Sequence, residues 1–87
     1  MTVLALDDDQ DDLKLLERSL RELKGYEVVY VPCRTRDHAL REMASRPIDI
    51  LFVDYYLGAE NGEDVLRELR AKGWAQPAIA ITGQLDP

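Results

Sequence analysis

The chain has 87 residues, 46% of them hydrophobic and 32% charged, enough for one compact domain and too few for a second core of workable size. Its 11 Lys and Arg against 17 Asp and Glu leave a formal net charge of -6, a sign that repels phosphate backbones and anionic lipid, so neither nucleic acid nor a membrane is an expected partner. No apolar run approaches the roughly 20 residues of a membrane span. Met1 to Leu6 lacks the length and basic flank of a signal peptide, and the single cysteine, Cys33, suits a reducing compartment. The expected location is cytoplasmic, with Cys33 a small buried hydrophobe.

Thr2 to Leu6 is apolar without polar alternation, as in a strand covered on both faces, and it stops at Asp7-Asp8-Asp9. From Asp9 to Lys24, Leu13, Leu16, Leu20 and Leu23 recur at helical spacing, with Asp9 placed to cap, Asp11 and Asp12 in the first turn and Gly25 just past the end. Tyr26 to Val31 is rich in β-formers and is expected to end at Pro32. A second helix is predicted from Thr35 or Arg36 to Ser45 on Ala39, Leu40, Met43 and Ala44, broken by Arg46-Pro47. Ile48 to Asp54 repeats the design of an apolar strand ending in a carboxylate. Tyr55 to Asn61 reads as a loop, and Gly62 leads into a helix on Val65, Leu66 and Leu69 that closes near Lys72-Gly73. Pro77 precedes a fourth strand, Ala78 to Thr82, followed by Gly83. Strands alternating with helices predict parallel α/β units joined by right-handed crossovers.

In open parallel sheets, ligand sites lie at the carboxyl ends of the strands, where Asp7, Asp8, Asp54 and Thr82 all fall. Three carboxylates converging there repel one another unless one is protonated or a cation sits between them. Oxygen ligands with room for phosphate oxygens point to Mg2+ or Mn2+, and the Thr82 hydroxyl is placed to donate to a phosphoryl oxygen. Other residues have plainer readings. Asp9 caps a helix, His38 is an ordinary surface residue, Arg34, Arg36, Arg41 and Arg46 form a solvated face, and Trp74 packs in the loop before the fourth strand.

The segments Leu4-Ala5-Leu6-Asp7-Asp8-Asp9, Ile50-Leu51-Phe52-Val53-Asp54 and Ile79-Ala80-Ile81-Thr82-Gly83, in that order and at those separations, resemble the receiver domains of two-component response regulators. The resemblance covers the whole chain, read as a single receiver-like domain over residues 1–87. It implies a flavodoxin-like α/β fold with a parallel sheet in the order 2-1-3-4. It makes Asp54 the phosphoacceptor for a phosphohistidine on a sensor histidine kinase or histidine phosphotransfer protein. Asp8 and Asp54 become direct ligands of Mg2+ or Mn2+, Tyr56 contributes its backbone carbonyl, and Asp7 acts through metal-bound water. Thr82 becomes the switching hydroxyl, and Gly83 leaves space beside it. Such a domain is a phosphoacceptor that catalyses its own phosphotransfer and slow dephosphorylation in a phosphorelay, not a turnover enzyme.

Receivers have five strands, with a phosphate-pairing lysine at the end of the fifth. This sequence stops before the fourth helix, fifth strand and fifth helix, and none of Lys14, Lys24 or Lys72 stands at a strand's carboxyl end. Two consequences are expected: weaker neutralisation of transition-state charge, and self-association through the edge of the fourth strand. The alternative function is a non-catalytic pseudo-receiver that works by docking or dimerisation. An aspartyl-phosphate hydrolase would need a second carboxylate two residues after the nucleophile, where Tyr56 stands.

Overall fold

In the computed structural model, which describes residues 1–54, 56–57 and 60–81, the apolar runs pair into one parallel sheet. β1 (Thr2–Leu6), β2 (Val29–Cys33), β3 (Ile50–Asp54) and β4 (Ala78–Ile81) lie in the spatial order β2-β1-β3-β4, the expected 2-1-3-4. Each connection between parallel neighbours needs a crossover, supplied by α1 (Gln10–Arg21), α2 (Arg36–Ser45) and α3 (Gly62–Ala71). Leu6 stands opposite both Cys33 and Val53, so the ends of the three strands finish level and their following loops meet on one rim.

The pleat divides the core. Leu4, Leu6, Val31, Cys33, Leu51 and Val53 form one sheet face and pack with Ala39 of α2 and with Val65 and Leu69 of α3. Ala5 and Phe52, opposite one another in the register, face Leu13 and Leu16 of α1 on the other side. Val3, Leu4, Ala5 and Leu6 are all buried, which is why β1 carries no polar alternation. Cys33 is wholly buried, and burial pushes its thiol up to about 11, in keeping with an inert core residue.

Several boundaries differ from the sequence expectation. α1 ends at Arg21, three residues before Lys24; Leu23 lies half exposed past the helix, and the turn closes at Gly25, whose φ of 86° favours glycine. β2 begins at Val29, and Pro32 lies inside it. The Val29 N–H donates to the Met1 carbonyl and the Cys33 carbonyl accepts from the Asp7 N–H, so odd-numbered residues face β1. Pro32 therefore turns its missing N–H to the outside of an edge strand, where no ladder bond is lost. β3 starts at Ile50, because Asp49 is used at the sheet margin, its carboxylate accepting from the Thr2 N–H at 2.7 Å. The segment read as a loop holds two short antiparallel strands, Tyr56–Leu57 and Glu60–Asn61.

The helix caps agree with their residue types. Asp9 accepts from the Asp11 N–H at 2.9 Å, Thr35 from the His38 N–H at 3.1 Å, and Asn61 from the Glu63 N–H at 2.7 Å. The arginines expected on a solvated face are partly engaged: Arg36 meets Glu68 of α3 at 3.2 Å, and Arg46 meets Glu42 at 3.1 Å. Trp74 packs against the core, with the Arg70 guanidinium 5.0 Å from its ring. His38 stands on the surface, 3.5 Å from Glu42.

Candidate functional site

The level ends of β1 and β3 bring Asp7, Asp8 and Asp54 together. One carboxylate oxygen from each lies within 4.8 Å of the others, although Asp8 and Asp54 are 46 positions apart in the chain. The three differ in exposure: Asp8 is open to solvent, Asp7 is intermediate, and Asp54 is buried, the only buried charged side chain among the described residues. Asp7 is held at both ends, its N–H donating to the Cys33 carbonyl at 3.0 Å and its carboxylate accepting from the Asp9 N–H at 2.9 Å.

Burial first, and crowding of like charge after it, show in the protonation of Asp7. Desolvation pushes its carboxyl up to about 6, the Asp9 N–H opposes that rise, and the Asp54 and Asp12 charges and a side-chain hydrogen bond with Asp54 add to it. Asp12 is pushed upward too, by desolvation and then by Asp9 and Asp54. An oxygen-only donor set under this repulsion could hold a divalent cation, since a cation relieves the cost and oxygen ligands suit a hard ion. A cleft of about 220 Å³ shares Asp7 and Asp54 with this donor set and is lined also by Asp12, Leu13, Leu16 and Phe52.

Of the residues expected at the site, Asp7, Asp8 and Asp54 meet here and Tyr56 opens the short antiparallel pair just after β3. Thr82 and Gly83 lie outside the described residues. Two contributors escaped the sequence reading. Arg34, placed on a solvated face, donates to the Asp8 carbonyl at 3.2 Å; the available signal was its position directly after a strand's carboxyl end. Gly62, read only as a helix start, lies against the Asp54 backbone.

The fold and its acidic rim define a receiver-type parallel α/β protein. Similar solved structures include the MaeR response regulator bound to beryllium trifluoride, with a TM-score of 0.86 and 24% identity over 99% of this chain and 70% of that one. Another is a CheY-like response regulator receiver domain from Methylobacillus flagellatus, with a TM-score of 0.78 and 26% identity over 97% of this chain and 70% of that one. The family model for the response regulator receiver domain matches residues 3–87, and the chain belongs to that family, a component of two-component systems.

Among curated proteins, the transcriptional regulatory protein KdpE of Mycobacterium tuberculosis is 35% identical over 85 residues, 97% of this chain. The transcriptional regulatory protein MalR of Bacillus subtilis is 29% identical over 82 residues, 94% of this chain. The chain spans about a third of the length of these relatives, 35% and 34%. Since both are transcriptional regulators, the exclusion of nucleic acid drawn from the charge of this segment finds no support in them. Charge repels DNA locally and says nothing of what a longer protein binds elsewhere. No helix among the described residues is long and apolar enough to cross a membrane.

Proposed function

We propose that this receiver domain accepts a phosphoryl group on Asp54 from a phosphohistidine of a sensor histidine kinase or histidine phosphotransfer protein, with Mg2+, in the cytoplasm. The observation that supports the reading most directly is the convergence of Asp7, Asp8 and Asp54 oxygens within 4.8 Å. An Asp54 carboxylate oxygen attacks phosphorus, the P–N bond breaks, and the electron pair leaves with the imidazole, which takes a proton from solvent. Asp8, Asp54 and the Tyr56 backbone carbonyl would hold Mg2+ directly, and Asp7 through water. Bound there, the ion supplies positive charge against the phosphoryl oxygens. Burial shields Asp54 from bulk water, and the hydrogen bond from the Asp9 N–H fixes the Asp7 carboxylate. Thr82 and Gly83 complete the proposal as the switching hydroxyl and the space beside it.

Acetyl phosphate or phosphoramidate with Mg2+ should therefore add one phosphoryl group to the chain, seen as a single mass increment that hydroxylamine removes. An unmodified wild type that does not bind Mg2+ either would overturn the reading in favour of a docking module.

The edge of β4 supports a second proposal. Among the described residues β4 pairs only with β3, and Ile79 is 48% exposed. An uncharged edge left unpaired among the described residues can recruit other strands, and this segment is proposed to self-associate through β4 at micromolar concentration. Light scattering after size exclusion checks it; a cooperatively melting monomer that binds no hydrophobic dye would show the edge to be inert.

A further inference from the structure

The first residue of α3 has no room for a side chain. A Cβ placed on Gly62 would run into the backbone carbonyl oxygen of Asp54, and would also meet the Asp54 carbonyl carbon at 2.9 Å and Val53 Cγ1 at 2.8 Å. These obstacles are mostly main chain, which cannot swing aside as a long side chain can. Neither partner is free to retreat. α3 is pinned to the sheet by Val65 and Leu69, which are 2% and 3% exposed, and its first turn is held by the Asn61 cap. Asp54 is paired with Ile81 of β4 while its neighbour Val53 is paired with Leu6 of β1. Burial of Gly62 itself leaves no outward path for an added methyl group.

We infer that Gly62 is a positioning residue for the acidic site: the missing side chain lets the first turn of α3 seat directly on the Asp54 carbonyl and so sets where the Asp54 carboxylate stands relative to Asp7 and Asp8. The inference rests on the phosphoacceptor reading of Asp54 and extends it to a residue with no ligand atom of its own. The mechanism is steric. An L-residue at position 62 must displace the α3 turn or the Asp54 peptide, and either changes the distances among three carboxylates that must share one ion. Groups that orient metal ligands typically contribute roughly 10- to 100-fold in affinity.

The test uses Mn2+ as the probe, its binding followed by loss of the free-ion paramagnetic resonance signal, alongside backbone amide shifts of the metal-free protein. Gly62→Ala is expected to bind Mn2+ at least roughly tenfold more weakly than wild type and to move the Asp54 amide resonance. Leu69→Ala, which loosens α3 two turns away without adding an atom near Asp54, is expected to lower the Tm while keeping wild-type Mn2+ affinity. Wild-type affinity in Gly62→Ala, or an equal loss in both variants, would overturn the assignment. Should the wild type bind no Mn2+, the metal part of the phosphoacceptor reading falls. The amide shifts then decide for Gly62, an Asp54 resonance moved no further than in Leu69→Ala counting against it. If Gly62→Ala does not fold, Val53→Ala/Gly62→Ala, which removes the Cγ1 obstacle and leaves the backbone one, is compared with Val53→Ala. The same loss of affinity is expected, and equal affinity refutes.

Discussion

Asp54→Asn is expected to abolish phosphoryl uptake from acetyl phosphate, to below detection by intact mass, while making the metal-free protein more stable. Both effects have one cause. Asp54 is buried beside Asp7 and Asp8, so its charge is that of the proposed nucleophile and, without a cation, also a source of repulsion. The amide keeps the shape and loses the charge. The pH dependence follows from Asp7, whose carboxyl is raised from 3.8 to about 6 by desolvation first and by Asp54 among the further causes. Because the folded form holds this proton more tightly than the unfolded chain, the associated stability is complete below 3.8 and is lost as the pH rises through about 6. Asp54→Asn removes part of what raises Asp7, so its Tm advantage over wild type should be small near pH 4 and grow toward pH 7. Mg2+ should narrow that advantage by stabilising the wild type more than the variant. A gain in Tm that is the same at both pH values, or a phosphoryl group still added in the variant, would contradict this account.

Leu51→Ala should bring the fold close to its limit. Leu51 is wholly buried at the middle of the sheet, between β1 and β4, and belongs to the cluster shared with α2 and α3. Truncating such a leucine costs about 3–4 kcal/mol, the transfer of the lost methyl groups plus the cavity they leave. A domain of 87 residues has roughly 4–13 kcal/mol in total. The Tm should fall by roughly 15–25 °C, and the urea midpoint should drop with little change in slope. Leu15→Ala, at a residue 56% exposed on α1, serves as the comparison and should shift the midpoint little. Equal losses at the two positions would mean that the sheet centre is not the core described above.

Element types and their order were legible in the residues because burial leaves a pattern that does not depend on partners. A strand covered on both faces is apolar throughout, as in Thr2–Leu6, and a helix resting one face on the sheet repeats its leucines at helical spacing, as at Leu13, Leu16 and Leu20. The Asp9 cap was legible for the same reason, its carboxylate satisfying an N–H two residues on, whereas Thr35 and Asn61 emerged as caps only in the structure. The carboxylates of the site stood out because a charge that directly follows an apolar strand has few structural uses. Where elements end was less legible. Leu23 has the right spacing for α1 yet lies half exposed beyond its end, and Pro32 stops a strand only if its N side faces a partner, a fact set by β2 lying at the edge.

The residues themselves determined that this is an alternating α/β chain with acidic strand ends, since hydrophobic period and capping chemistry act within a few neighbours. The tertiary structure alone decided that Asp7, Asp8 and Asp54 come within 4.8 Å, because that distance depends on the level register of β1 and β3. It alone decided that Asp7 holds its proton to about 6, since desolvation and the Asp54 charge exist only once the chain has folded. Gly62 shows the division most plainly. In the sequence it is a glycine before a helix, and only packing α3 against β3 makes its missing Cβ a requirement of the site.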